Sequence, residues 1–257
     1  MEYIRERALK GDFLAGAWLN LASPLTAEMA GMVGYDWLLI DQEHGPGDNW
    51  TALHQIQAAS RFPVAPLVRA TWLDRILFKR ILDLGAAGIM TPYVQTVEQA
   101  REVVQFSKYM PMGERGVAAS PRCADYSMNF QEYFANANKN LITVVQIETG
   151  KAVENAESIA AVDGIDVLFV GPMDLSINTN LRGMFEDDKY LAQLKRVSQS
   201  AKNHGKACGI LLPNTKWIPL LKELGYTFIA CGADGGYVLS NMKSTLDALR
   251  VTSPRAV

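Results

Sequence analysis

One rhythm, carried from end to end, constrains this chain more than any other feature. A short apolar run is followed by a helical stretch, and the pair recurs eight times. The apolar runs fall at residues 15–19, 36–41, 63–68, 87–90, 141–147, 166–170, 207–212 and 228–231. The helical stretches fall at residues 24–33, 49–60, 73–84, 97–107, 151–160, 187–203, 216–223 and 236–250. Several runs are rich in β-branched residues and apolar on both faces, which marks parallel strands covered by helices. Eight such units with no break in composition predict an α/β chain folded as one (β/α)8 TIM barrel over residues 1–257. A doubly wound open sheet is the alternative, but it usually carries a phosphate loop after its first strand. Here Asn20 to Leu25 follow that strand, with neither a G-x-G-x-x-G nor a Walker sequence.

The length of 257 residues suits such a barrel. A net charge of −2 with no basic stripe argues against nucleic acid as a partner. A small anionic substrate would then need a local arginine or a metal ion. Cys123, Cys208 and Cys231 are too scattered for a disulfide framework or a zinc site. They are expected to be buried, reduced thiols of a cytoplasmic protein. The first twelve residues read as a polar helix rather than a signal peptide. No apolar run approaches the ~20 residues of a membrane span.

Chemistry in a barrel sits at the C-terminal ends of the strands. The second strand ends in Asp41, Gln42, Glu43 and His44, the third at Arg69, the fifth in Gln146 and Glu148, and the sixth in Gly171, Pro172 and Asp174. Alternation puts Gln146 and Glu148 on one side of their strand and Ile147 on the other. Glu148 and Asp174 end adjacent strands, where two close carboxylates repel unless a proton or cation is shared between them. A hard divalent ion with open water positions fits that pair. Taken singly, each residue has a plainer reading: Glu148 as a first-turn helix acid, Asp174 as a cap, His44 as a loop histidine, Arg69 as a rim salt bridge. Their arrival on one face favours a shared site. Glu43 is expected to turn away from His44, with a supporting role as the alternative. His54 and His204 are expected at the surface.

Such a set can perform enolate chemistry. An ion can chelate a 2-oxo acid and stabilise the enolate left when a carbon–carbon bond breaks. Arg69 can hold the carboxylate or keto oxygen, His44 can move the hydroxyl proton, and Asp41 can orient His44. The competing Schiff-base route needs a lysine in an apolar pocket, and no strand interior carries one.

The fragments IDQEHGP, PLVR, DLGAAGIMTP, GERGV, VVQIET and FVGPMDLS occur here in the order seen in a known family. The chain resembles, over nearly its whole length, the metal-dependent (class II) 2-oxo-acid aldolases of the 4-hydroxy-2-oxoheptanedioate and 2-keto-3-deoxy-L-rhamnonate aldolase family. The resemblance implies cleavage of a 4-hydroxy-2-oxo acid to pyruvate and an aldehyde. It also implies Mg, Mn or Co at Glu148 and Asp174, and proton transfer assisted by His44 and Asp41. Arg69 would bind the pyruvyl unit, with Gln146 near it and Pro172 among the substrate-binding residues. Asp83, which the sequence alone places at a helix C-terminus on the surface, matches an acid that lies near a neighbouring subunit's site. The resemblance further implies a homo-hexamer built as a dimer of trimers, with the last helix exchanged between neighbours.

Two segments depart from the family pattern, residues 118–130 and 177–190. Both are expected to border the aldehyde half of the substrate, so the pyruvate half stays the better defined. An oxaloacetate decarboxylase, or a carbon–carbon-forming enzyme of the macrophomate synthase type, would use the same enolate site. A non-catalytic barrel that binds metal and small acids would not need His44 and Asp41 there.

Overall fold

A computed structural model describes residues 2–252; residue 1 and residues 253–257 of the expected domain lie outside the described residues. Eight parallel strands close into a barrel in chain order. They are β1 (Leu14–Leu19), β2 (Trp37–Asp41), β3 (Ala65–Arg69), β4 (Gly88–Thr91), β5 (Ile142–Ile147), β6 (Val167–Val170), β7 (Ala207–Leu212) and β8 (Phe228–Ala233). The helices that follow them include α2 (Pro24–Val33), α3 (Asn49–Ala59), α4 (Arg75–Asp83), α5 (Val97–Ser107), α10 (Asp188–Asn203), α11 (Ile218–Glu223) and α12 (Asp234–Thr252). After β5 the expected single helix is broken at Asn155 into α7 (Gly150–Glu154) and α8 (Ala156–Ala160). The N-terminal helix α1 (Arg5–Lys10) ends on Gly11 in the left-handed conformation. Ile4 and Ala8 pack with the barrel interior and so plug its lower end.

Period two sorts each strand into two cores. Trp18, Trp37, Leu39, Leu67, Val144 and Phe169 fill the barrel, with Trp37 stacked on Phe228 at 4.2 Å. Leu38, Ile40, Val68, Val145 and Ile147 face the helices. The same alternation carries the inner faces upward to polar ends: Leu39 to Asp41, Leu67 to Arg69, and Val144 to Gln146 and Glu148. Gly16 has no side chain because a Cβ there would run into the Trp37 indole.

The first departing segment, 118–130, lies in a long stretch between Met110 and Asn140 and differs from expectation. It follows helix α5 rather than strand β4, and so leads into the N-terminal end of β5. It holds a short 3-10 turn, Arg122–Ser127, and a helix not foreseen, α6 (Phe130–Asn140). Arg122 donates to the carbonyl of Leu84, at the C-terminal end of α4. The segment therefore lies at the foot of the barrel and cannot border this chain's own strand-end site. The second departing segment, 177–190, does lie after β6, on the side of the strand ends.

Cys208 is buried, whereas Cys123 and Cys231 are half-buried; all three are free. His54 is half-buried and His204, paired with Glu157 at 2.9 Å, is exposed. Among the described residues no helix is long and apolar enough to cross a membrane.

Candidate active site

Register sets the centre of the site. Asp41 and Arg69 end adjacent strands as direct neighbours. Arg69 Nε donates to Asp41 Oδ1 at 3.0 Å and Nη2 to Oδ2 at 2.6 Å, a fork on both carboxylate oxygens. Both side chains are buried. The Trp18 indole donates to Asp41 Oδ2 at 3.0 Å, and its ring lies 4.8 Å under the guanidinium. Burial works against the Asp41 charge, but Arg69 and these donors hold its carboxyl below the usual carboxylate range.

Asp41 meets His44 differently from expectation. Its Oδ1 accepts from the backbone N–H of Glu43 and of His44, at 3.0 and 3.1 Å. It shapes the loop that carries His44 and is spoken for by Arg69. The His44 side chain projects from an exposed position. Glu43, expected to turn from His44 toward neighbouring barrel structure or to support the site, lies with its Oε2 2.8 Å from Nη1 of Arg69 on the adjacent strand. Alternation no longer applies there, because β2 ends at Asp41 and Glu43 sits in the loop. Burial raises the Glu43 carboxyl above its ordinary range, with Arg69 pulling the other way.

From Arg69 the network runs to the carboxylate pair. Arg69 Nη1 reaches Gln146 Oε1 at 3.5 Å, and Gln146 Nε2 donates to Glu148 Oε1 at 2.8 Å. Glu148 Oε2 accepts from the backbone N–H of Tyr93 at 3.1 Å. A Cβ on Gly171 would fall on the Glu148 carboxyl, so this glycine makes room for it. Asp174 belongs to the first turn of a helix not foreseen, α9 (Pro172–Asn178), rather than to the end of β6. Pro172 at the helix start presets that turn. Burial, and then the charge of Asp174, raise the Glu148 carboxyl to about 7. Two carboxylates whose charges oppose each other, one of them buried, are what a cation would neutralise.

Among the described residues no group of three or more His, Cys, Asp or Glu side chains converges as a metal cage. Two carboxylates, Glu148 and Asp174, are the candidate donors, a pattern that suits Mg or Mn better than zinc.

Asp83 is not brought to this site. It closes α4 at the foot of the barrel and accepts from the buried Arg115 at 3.0 Å. Pro172 is buried at the start of α9, its carbonyl accepting from Tyr190. The lysine that burial pushes down, to about 8, is Lys108. Its Nζ donates to the carbonyls of Leu141 and Asn138, just before β5 and so at the wrong end of the barrel for Schiff-base chemistry. Sequence reasoning passed over Trp18 and Tyr93. A tryptophan on an inward strand position signals the first, while nothing local signals the second.

Residues 14–241 match the family model for HpcH/HpaI aldolase/citrate lyase. The chain is 37% identical over 235 residues to the 5-keto-4-deoxy-D-glucarate aldolase of Salmonella paratyphi C, covering 91% of each. It is similar to an HpcH/HpaI aldolase/citrate lyase family protein from Burkholderia cenocepacia, with a TM-score of 0.91 and 33% identity over 96% of this chain and 98% of that one. Macrophomate synthase matches at a TM-score of 0.85 and 29% identity, over 99% of this chain and 92% of that one. The chain belongs to the HpcH/HpaI aldolase/citrate lyase family.

Proposed function

We propose that this protein is a divalent-metal-dependent aldolase that reversibly cleaves a 4-hydroxy-2-oxo acid to pyruvate and an aldehyde. The observation that carries the proposal is the unbroken network from Asp41 through Arg69 and Gln146 to Glu148. It joins an anion-binding arginine to a carboxylate pair suited to a cation.

Glu148 and Asp174 would hold the ion, Mg, Mn or Co. The ion would supply a positive charge against the negative charge that builds on the C2 oxygen of the substrate. Arg69, fixed by Asp41 and Glu43, keeps a remaining Nη2–H for the pyruvyl carboxylate or keto oxygen. Gln146 lies beside it, and Pro172 would take part in binding the same unit. His44 takes the proton from the C4 hydroxyl as the C3–C4 bond breaks. The bond electrons pass to the C2 oxygen, and a proton returned to C3 yields pyruvate. Asp41 serves by placing the backbone of His44.

Assembly follows from surfaces left bare. On α12 Leu239 and Met242 are more than 60% exposed, as are Met32 and Val33 on α2. Apolar faces of this size call for a partner. We place the last helix on a neighbouring copy within a homo-hexamer of paired trimers in the cytoplasm. A role for Asp83 then requires a neighbour's site, because its own lies at the other end of the barrel.

The test is pyruvate release from 2-keto-3-deoxy sugar acids by EDTA-stripped protein with and without added Mg2+ or Mn2+. Release restored by metal supports the aldolase. The likeness to macrophomate synthase favours one second reading, in which the same site decarboxylates oxaloacetate or joins carbon–carbon bonds. Faster loss of CO2 from oxaloacetate than retro-aldol cleavage would select it.

A further inference from the structure

Two exposed aromatic rings stand beside the carboxylate pair. Trp72 follows β3 by three residues and Tyr93 follows β4 by two, so both leave strand ends on the side of the site. Trp72 is 53% and Tyr93 39% exposed. Their rings lie 6.3 Å apart at 28°. The pair is anchored to the chemistry, since the Tyr93 N–H is the one that donates to Glu148 Oε2.

Tyr93 makes that bond from a left-handed backbone, with φ of +58°. A glycine or asparagine would adopt this turn with less strain. A bulky ring held there is not what the turn needs, and strained backbone gathers at functional sites. Met173, beside Asp174, adds a third exposed apolar side chain, at 60%. Against this apolar rim the site carries one engaged guanidinium, Arg69, and the carboxylates Asp41, Glu43, Glu148 and Asp174. Among these residues no cation is left for a second substrate carboxylate, because Arg69 is engaged by Asp41 and Glu43 and the ion would be taken up by Glu148, Asp174 and the pyruvyl end, whereas a C–H or ring face would meet aromatic surface.

We propose that Trp72 and Tyr93 form a shelf for the aldehyde half of the substrate, selecting an uncharged aldehyde with a flat apolar face over one ending in a carboxylate. The inference rests on the aldolase reading, in which Arg69 and the carboxylate pair hold the pyruvyl end and the C4 end points outward.

The experiment measures aldol addition of pyruvate, with Mn2+ present, to butanal, phenylacetaldehyde and succinic semialdehyde. Butanal and succinic semialdehyde share a four-carbon chain and differ in the terminal carboxylate. The wild-type protein is expected to show a KM about ten-fold lower for phenylacetaldehyde than for succinic semialdehyde, with butanal between them. Trp72→Ala, and separately Tyr93→Leu, should each erode that ratio several-fold, mainly through KM. A preference for succinic semialdehyde overturns the shelf, as does a ratio unmoved by either variant. A changed oligomeric mass with an unmoved ratio also overturns it and makes the rings an interface. In parallel, exchange of the pyruvate methyl protons for deuterium by the wild-type protein tests the underlying reading. No exchange removes that reading and the shelf with it, while exchange with an unmoved ratio removes the shelf alone.

Discussion

Arg69 holds both oxygens of Asp41 in a buried fork, Nε at 3.0 Å and Nη2 at 2.6 Å. The guanidinium proposed to meet the substrate is therefore fixed in advance, and binding need not order it. Asp41→Ala would strand a buried cation. Breaking such a pair costs about 3 kcal/mol or more. The variant is expected to unfold at lower urea and to raise the KM for pyruvate in aldol addition. Unchanged stability and KM would show that Arg69 is held by other groups.

Gly171 gives Glu148 its room. Gly171→Ala should displace the carboxyl and weaken Mn2+ binding at least ten-fold by calorimetry (about 1.4 kcal/mol), with the barrel still folded by circular dichroism. Wild-type affinity in that variant would take Glu148 out of the ion site.

Glu148 and Asp174 repel each other when no cation lies between them, and burial adds to the cost for Glu148. In EDTA, Glu148→Gln should therefore melt higher than the wild type, while Mn2+ should raise the wild type and leave the variant unmoved. A variant that melts lower in EDTA would mean that the carboxylate is satisfied by its Gln146 and Tyr93 donors alone.

His44 is exposed in a loop shaped by Asp41. His44→Ala is expected to lower the cleavage rate by about 10²-fold or more while metal binding is kept. A near-normal rate would place the proton transfer on another group.

Lys108 supplies a pH signature separate from the chemistry. Burial lowers it from its ordinary value to about 8, so the folded chain loses this proton before the unfolded chain does. The penalty for the buried charge is complete below pH 8 and fades as pH rises toward the ordinary lysine value. Wild-type stability relative to Lys108→Met should climb between about pH 8 and 10 and run parallel below 8. A flat difference across that range would mean that the two carbonyls accepting from Nζ fully offset its burial.

Most of the barrel was legible because its rhythm repeats with nothing to interrupt it. Asp41, Arg69, Gln146 and Glu148 were legible because each extends an inward alternation of apolar residues by one polar step. Legibility ended where strands end. Glu43 and Asp174 lie past β2 and β6, in a loop and a helix turn, where period two has no force. The segment after α5 was misplaced because α6 and the 3-10 turn carry too little apolar patterning to show that a helix had already carried the chain back to the barrel's foot. Tyr93 was invisible because it acts on Glu148 through its backbone N–H, which any residue but proline has.

The most direct measurement is a Mn2+ titration of EDTA-stripped protein, following bound metal by electron paramagnetic resonance and pyruvate release from a 2-keto-3-deoxy acid in the same samples. One ion per chain is expected, with activity rising in step with it and both lost in Glu148→Gln and Asp174→Asn. Full cleavage in the stripped protein, or metal retained by both variants, would contradict it.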